Sequence, residues 1–172
     1  MDRRVVLTAV GRDRPGIVEE VSAYVLERGG SIEDSRMANL QGQFTIMMLV
    51  AGASENLARV EAELDALASV RAQLTPAEGE RAPAGSASRF HLRGRAIDQL
   101  GLVHEVAGVL RRRGANIESM DTSLETAPVT GAPVFAMDML VAIPEQTSAD
   151  ELRLELETVC DRLGIDWDLT PA

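Results

Sequence analysis

The sequence contains very little cysteine, aromatic side chain or lysine. Cys160 is the one cysteine among 172 residues, so the chain can form neither an intrachain disulfide nor a cysteine-based metal cluster. Aromatic residues make up 3% of the chain and apolar residues 45%, so we expect a core built from aliphatic side chains. All seventeen basic residues are arginine. The length suits one medium domain or two small ones without disulfide support.

Long apolar runs are also missing. No window of the sequence approaches the eighteen or so apolar residues that a membrane-spanning helix needs. The N-terminal stretch MDRRVVLTAV has no apolar segment followed by a small-residue cleavage site, so no secretory signal is evident. We therefore predict a cytoplasmic protein that does not contact a membrane.

Positive charge is scarce as well. The formal net charge is −10, and the excess of acidic residues extends over both halves of the chain. Binding to a nucleic-acid backbone usually needs clustered cations and often stacking aromatic residues. The one basic cluster, Arg111, Arg112 and Arg113, falls at the predicted end of a helix, where cations interact favourably with the helix dipole. The composition therefore argues against direct nucleic-acid binding.

What the sequence does contain is an internal repeat. At a shift of 85 positions, GIVEEVSAYVLERGGSIED (16–34) aligns without a gap with GLVHEVAGVLRRRGANIES (101–119), and eight of the nineteen residues coincide. Asp13 falls on Asp98 in the same alignment. Further on, FTIMMLVAG (44–52) matches FAMDMLVAI (135–143) at a shift of 91, so the second copy has about six extra residues, in ETAPVTGAP. The chain is a duplicated unit.

The segment between the two copies has the composition of a linker. TPAEGERAPAGSAS (75–88) is rich in Ala, Pro, Gly and Ser and has few apolar anchors. We therefore predict one domain over residues 1–75, a linker over 76–88 and a second domain over 89–172.

Each copy shows the pattern strand, helix, strand, strand, helix, strand. In the first copy RVVLTAV is rich in β-forming residues, strands are predicted at roughly 31–40 and 43–51, and LQGQ forms a tight reversal between them. Apolar residues at spacings of three and four predict the second helix: Leu57, Val60, Leu64 and Leu67. This order predicts an α+β fold with two ferredoxin-like βαββαβ domains, each an antiparallel sheet with two helices on one face.

The turn in GRDRPGIVEE (11–20) directs a helix N-terminus beyond the end of the first strand. Such an N-terminus offers unpaired backbone N–H groups and a partial positive charge, which suit a carboxylate. Pro15 fits the first helical position, and Gly16 lets a ligand approach the backbone closely. Asp13 can cap the helix or accept a hydrogen bond from an α-ammonium group, and Arg12 and Arg14 can add a carboxylate clamp. A plain N-cap and tight turn that bind nothing remain the alternative.

These residues resemble the ACT domain, a small-molecule-sensing βαββαβ module. The resemblance rests on DRPGIV after the first strand and on GGSIEDSRMANLQGQFTIMMLV, in a chain that has this element order twice. Two such units in one short chain, with a longer second hairpin, resemble the family of glycine cleavage system transcriptional repressors. The resemblance covers nearly the whole chain apart from the linker, and it implies a regulatory protein and not an enzyme.

The resemblance also implies a ligand and partners. ACT domains usually bind amino acids at the turn between the first strand and the first helix, often at an interface with another ACT unit. The repressor family is understood to lack a DNA-binding domain and to contact a transcriptional activator. We therefore expect an amino-acid ligand from glycine or serine metabolism, a homodimer formed through ACT domains, and a transcription-factor partner. The candidate ligand-binding residues of the first copy are Asp13, Arg14, Pro15, Gly16, Ile17 and Val18.

The second copy departs from the pattern in this turn. It reads IDQLGLV, so that Leu100 replaces Pro15. An Asn side chain at the start of the following strand can hold a ligand carboxylate, or it can simply end the preceding turn. The candidate ligand-binding residues of this copy are Asp98, Leu100, Gly101, Leu102, Asn116 and Ile117.

The remaining motifs indicate no chemistry. His91 has no second ligand at metal-binding spacing, and no nucleophile–base pair or phosphate-binding loop is present, so we predict no catalytic residue, no metal and no cofactor. Two alternatives stay open: an ACT interaction or oligomerisation module without a ligand, and a detached regulatory subunit of an amino-acid metabolic enzyme. Four methionines in the central strands are predicted to pack in cores or interfaces: Met47, Met48, Met137 and Met139.

Overall fold

The first half of the chain forms one α+β unit. In the computed structural model, which describes residues 2–77, 87–127 and 131–172, the chain divides into two compact units, here called unit 1 and unit 2. The elements of unit 1 are β1 (Asp2–Arg12), α1 (Ile17–Glu27), β2 (Ser31–Leu40), β3 (Gln43–Ala53), α2 (Ser54–Ala62), a 3₁₀ turn (Leu64–Ala66) and β4 (Val70–Pro76).

Unit 2 repeats this order. Its elements are β5 (Ala87–Ile97), α3 (Leu102–Arg112), β6 (Asn116–Thr126), β7 (Pro133–Pro144), α4 (Ala149–Leu163) and β8 (Asp166–Pro171). The strand orders are β2-β3-β1-β4 and β6-β7-β5-β8, and every pairing is antiparallel. The predicted pair of ferredoxin-like βαββαβ domains is confirmed.

One face of each sheet is buried beneath two helices. In unit 1 the alternate residues Val5, Leu7 and Ala9 of β1 pack with Val21 and Val25 of α1 in a single apolar cluster. Unit 2 has a matching cluster, in which Leu92 of β5 packs with side chains from both of its helices. Strand residues that point the other way lie on the opposite face of the sheet, because side chains alternate across a strand. Each sheet therefore has a core face and a second face, which we call the open face.

The same bulge interrupts the edge strand of both units. The register of β2 shifts between Ile32 and Asp34, and that of β6 shifts between Ile117 and Ser119. Each bulged residue is a glutamate that accepts two hydrogen bonds from an arginine. Arg4 donates to Glu33 at 2.7 and 3.1 Å. Arg89 donates to Glu118 at 2.8 and 2.9 Å. The bulge and its fork-shaped ion pair are thus features of the repeated unit.

Two details differ from the sequence prediction. The predicted second helix of unit 1 ends at Ala62, and Leu64–Ala66 form a 3₁₀ turn that still delivers Leu67 to the core. Strands also reach into both ends of the predicted linker, because Pro76 belongs to β4 and residues 87 and 88 belong to β5. Most of the remaining linker, residues 78–86, lies outside the described part of the chain.

The reversal predicted at LQGQ is confirmed. Gln41 and Gly42 both have positive φ angles, 54° and 79°, and join β2 to β3 as a two-residue hairpin loop. This conformation matches the twist of the paired strands. None of the helices in the described ranges is both long and apolar enough to cross a membrane.

Cys160 provides a test of the core of unit 2. Its side chain is fully buried in that core, and burial raises the pKa of the thiol to about 11. At neutral pH we expect the thiol to remain protonated and unreactive toward a disulfide reagent in the native protein, and to react fully after denaturation. Free glutathione under the same conditions is the control. Rapid native labelling with an unchanged circular dichroism spectrum would contradict this packing.

Candidate functional site

The turn between β1 and α1 is exposed and lacks a side-chain cap. Residues 13–16 connect Arg12 to Ile17, and the backbone of Gly16 occupies the N-cap position with no side-chain cap hydrogen bond. The first helical hydrogen bond runs from the Glu20 N–H to the Gly16 carbonyl at 2.9 Å. Residues 13–16 are exposed, while Ile17 is buried. The Ile17 N–H donates to the Arg14 carbonyl at 3.4 Å, so among the described residues the N–H groups of the first helical turn that have no partner are those of Val18 and Glu19.

Two roles predicted for this turn are wrong. Pro15 does not occupy the first helical position, because Ile17 does and Gly16 stands between them. Asp13 does not cap the helix, because its carboxylate bonds elsewhere. Both errors have one cause: the glycine adopts a left-handed conformation, with φ at 87°, and the helix starts two residues later than a start at Pro15 would place it.

Gly16 is required by its backbone conformation and not by crowding. A Cβ atom added there would have nothing within 4 Å, and the same holds for Gly101, where φ is 93°. Other residues are strained at such φ values. Both units therefore keep an open, left-handed entry to their first helix.

Asp13 ties the turn to the β2–β3 hairpin. Its backbone N–H donates to the Gly42 carbonyl at 2.9 Å, and Asn39 Nδ2 donates to Asp13 Oδ2 at 2.6 Å. The Gly42 N–H in turn donates to Asn39 Oδ1 at 3.1 Å. Asp13 Oδ1 has no hydrogen-bond partner among the described residues. A fixed carboxylate with one unused oxygen thus stands beside the uncapped helix start.

Arg14 is held by a small network on α1. Its guanidinium forms an ion pair with Glu20, and Ser69 Oγ donates to Glu20 Oε1 at 2.5 Å. The Ser69 hydrogen bond, followed by Arg14, lowers the pKa of Glu20 below its ordinary value of 4.5. Arg14 is therefore already engaged by a carboxylate, and a ligand carboxylate would share it with Glu20.

The corresponding turn of unit 2 is built differently. The Asp98 N–H donates to the Pro133 carbonyl at 3.1 Å, which repeats the contact that Asp13 makes. Gln99, in the place of Arg14, donates to the Leu163 carbonyl at 2.7 Å. Leu100 is fully exposed, whereas Leu102 is buried. Unit 2 therefore keeps the backbone of the turn but has no arginine in it.

Asn116 and Ile117 lie far from this turn within their own unit. Asn116 opens β6 opposite Ala142, which pairs with Arg89 near the start of β5. The turn follows Ile97, eight residues further along β5, a distance of about 26 Å at roughly 3.3 Å per residue. Unit 2 alone does not bring these residues together with Asp98 and Gly101.

Sequence reasoning missed three side chains that shape the turn of unit 1. Asn39, Glu20 and Ser69 reach it from β2, α1 and the segment before β4. Asn39 and Ser69 are 26 and 49 residues from their partners, so no local pattern reveals these contacts. The described residues contain no group of three or more His, Cys, Asp or Glu side chains placed to hold a metal ion.

The Glu20 network can be tested by titration. We expect Ser69→Ala to raise the pKa of Glu20 toward its ordinary value, because the hydroxyl stabilises the carboxylate. The lowered pKa favours the folded state above about pH 4.5, and this contribution is lost as the pH falls through the folded-state pKa. Carboxyl NMR titration measures the shift. Ser22→Ala is a matched control, since Ser22 donates to the Glu19 carbonyl; equal Glu20 pKa values in both variants would contradict the network.

Comparison with known proteins identifies the first unit. A family model for the ACT domain matches residues 3–75. The glycine cleavage system transcriptional repressor of Escherichia coli (strain K12) is 43% identical over 60 residues, which are 35% of this chain and 32% of that relative. UPF0237 protein SMU_72 of Streptococcus mutans is 36% identical over 64 residues, 37% of this chain and 73% of that protein. The chain thus spans about a third of the length of the repressor that it matches.

Solved structures resemble the whole chain. A protein of unknown function from Galdieria sulphuraria is 27% identical with a TM-score of 0.87, covering 100% of this chain and 99% of that one. A provisionally named glycine cleavage system transcriptional repressor is 26% identical with a TM-score of 0.74, covering 99% and 97%. Since the repeated topology, the family match and these whole-length likenesses agree, the chain belongs to the ACT-domain family, as a tandem ACT protein related to the glycine cleavage system transcriptional repressor.

Proposed function

We propose that this protein is a non-enzymatic regulator that binds a small amino acid, glycine or serine in the first place, at the β1–α1 turn of unit 1. The observation that carries the proposal is the uncapped start of α1 beside the fixed Asp13 carboxylate. A zwitterion needs N–H donors for its carboxylate and an acceptor for its ammonium group. The helix start supplies the donors, and Asp13 Oδ1 supplies the acceptor.

Unit 1 is the better candidate of the two turns. It contains Arg14 near the helix start and holds Asp13 through Asn39. Unit 2 has Gln99 in the place of the arginine, and Gln99 is engaged by the Leu163 carbonyl. We therefore propose one principal amino-acid site per chain, with the unit 2 turn serving chiefly as a structural counterpart.

The proposed mode of action is regulation through protein contacts. The related Escherichia coli protein is named as a transcriptional repressor of the glycine cleavage system, and the net charge of −10 disfavours direct contact with DNA. We propose that the ligand-bound form contacts a transcriptional activator of that system. Ligand binding at the turn would shift the population between two arrangements of ACT surfaces, a coupling typically worth about 1–3 kcal/mol. A ligand-free interaction module is the alternative, and the engagement of Arg14 by Glu20 favours it.

Calorimetric titration with glycine and serine tests the ligand site. We expect saturable heat with the native protein and at least roughly tenfold weaker binding in Asp13→Ala, because a hydrogen bond to a charged group is worth about 1.5–3 kcal/mol. Asn39→Ala is the matched control, since it breaks the same tie to the hairpin while leaving the carboxylate in place. A Gly16 substitution is less informative, because strain at its left-handed φ would accompany any blocking effect.

Three outcomes of this titration are decisive. Loss of affinity in Asp13→Ala with retention in Asn39→Ala supports a direct ammonium contact. Equal loss in both variants would show that the carboxylate acts only by holding the hairpin. No heat with any amino acid would remove the ligand from the proposal and leave the interaction module.

The proposed partner requires a separate measurement. We expect the purified transcriptional activator of the glycine cleavage system from the same organism to bind the full chain, with an affinity that changes at least about fivefold when glycine is saturating. Interferometry with immobilised chain measures both affinities, with a saturating unrelated amino acid as the control. Equal affinities with and without glycine would contradict coupling, and no binding would remove this partner.

A further inference from the structure

Glu20 lies on the first turn of α1, beside the proposed ligand site. Its backbone N–H donates to the Gly16 carbonyl at 2.9 Å, so Glu20 closes the first helical turn. Helical side chains lean toward the N-terminus of their helix, which carries the Glu20 carboxylate back toward residues 13–16. There it forms an ion pair with Arg14. A carboxylate of the protein itself therefore occupies the arginine of the turn.

The Glu20 carboxylate is held from two sides. Ser69 Oγ, from the segment before β4, donates to Glu20 Oε1 at 2.5 Å, and Arg14 Nη2 donates to the other oxygen, Oε2. These two hydrogen bonds are the largest causes of the lowered pKa of Glu20, so the group is ionised at neutral pH. Glu20 thus presents the same chemical group as the α-carboxylate of an amino acid, and it does so at the guanidinium of the ligand turn.

Unit 2 keeps this glutamate but pairs it differently. Glu105 stands at the position of Glu20, and it accepts a hydrogen bond from Arg162 Nη2 of α4 at 2.6 Å. Gln99 replaces Arg14 in the turn. The fold therefore satisfies the glutamate with an arginine that lies outside the turn. The pairing inside the turn of unit 1 is not a requirement of the βαββαβ topology.

We propose that Glu20 is a built-in competitor of the ligand, because it occupies Arg14 until the carboxylate of an incoming amino acid draws the guanidinium away. This inference rests on the proposed amino-acid site and adds a control on its affinity. Two carboxylates at one guanidinium repel each other, so binding is weaker while Glu20 is charged and in place. The Arg14–Glu20 pair thus sets the ligand concentration at which the site fills.

The exposure of the pair sets the size of the effect. The side chains of Arg14 and Glu20 are 41% and 34% exposed, and ion pairs in contact with water are weak. The competitor therefore lowers the affinity of the site only moderately. We expect its removal to strengthen amino-acid binding about two- to fivefold.

Calorimetric titration of the full chain with glycine and with serine tests the competition. We expect Glu20→Gln to bind glycine about two- to fivefold more tightly than the native protein, because a neutral amide holds the guanidinium less strongly than a carboxylate does. Glu27→Gln is the matched control, since Glu27 lies at the far end of α1 with its carboxylate 3.8 Å from Arg28 Nη1. This control also removes one negative charge and one arginine contact from α1, and it should bind glycine like the native protein.

A double-mutant cycle separates competition for Arg14 from a general effect of charge. Arg14→Gln introduces the residue type that unit 2 has at this place, and we expect it to weaken glycine binding. In the Arg14→Gln background, Glu20→Gln should no longer raise the affinity. Native affinity in Arg14→Gln would overturn the proposal, and so would an equal rise on Glu20→Gln in both backgrounds.

Carboxyl NMR titration of the native chain gives a readout that needs no variant. Saturating glycine should raise the pKa of Glu20 toward its ordinary value of 4.5, because Arg14, which lowers this pKa, is then drawn to a second carboxylate. An unchanged Glu20 pKa in the glycine-saturated protein would contradict the competition even if the Glu20→Gln variant does not fold.

Failure of the competitor can be distinguished from failure of the ligand site. If the native protein and Glu20→Gln bind glycine equally well, the site stands and the competitor is wrong. The competitor is also wrong if Glu20→Gln and Glu27→Gln raise the affinity equally. If only Glu20→Gln gives saturable heat, the competition is supported, because Glu20 then keeps the ligand from the native site. If neither the native protein nor Glu20→Gln binds glycine or serine, both the site and the competitor are wrong.

Discussion

Burial of one face of each sheet under two helices is the constraint on which the rest of the structure depends. Alternate strand residues such as Leu7 and Met48 in unit 1 and Leu92 and Met139 in unit 2 are buried in the cores. Because the alternation has a period of two, fixing the core face also fixes which residues form the open face. The core face has stayed aliphatic in both copies, while the open face has been free to become apolar in one and charged in the other.

The β1–α1 turn is positioned by the same constraint. Ile17 is buried as the first helical residue, and Leu102 takes this role in unit 2. With these side chains anchored in the core, the preceding glycine can adopt its left-handed conformation and leave the helix start without a side-chain cap. The exposed, polar part of the turn is thus held by an apolar anchor. A site of this kind can vary in its side chains without moving, and the two units show this with Arg14 and Gln99.

The sequence was sufficient for the fold because the fold depends on local patterns. Apolar spacing, the positive-φ residues at 41–42 and the glycines after α1 and α3 are all visible in short windows, and the duplication gave each pattern twice. The turn was predictable in place but not in detail. Asn39 and Ser69 join it from distant parts of the chain, and with the left-handed Gly16 the helix starts at Ile17, two residues after the expected Pro15. Contacts between distant residues depend on the register of the sheet, which the sequence pattern does not state.

The repeated bulge carries information about the history of the chain. Glu33 and Glu118 occupy the same bulge, and each accepts hydrogen bonds from an arginine at the same position of the first strand of its own unit, Arg4 on β1 and Arg89 on β5. The simplest origin is a single ancestral unit that already had the bulge and the arginine before the gene was duplicated. The charged and apolar open faces then diverged after the duplication. The two units of the chain therefore share one inherited scaffold, while the residues on their open faces changed separately.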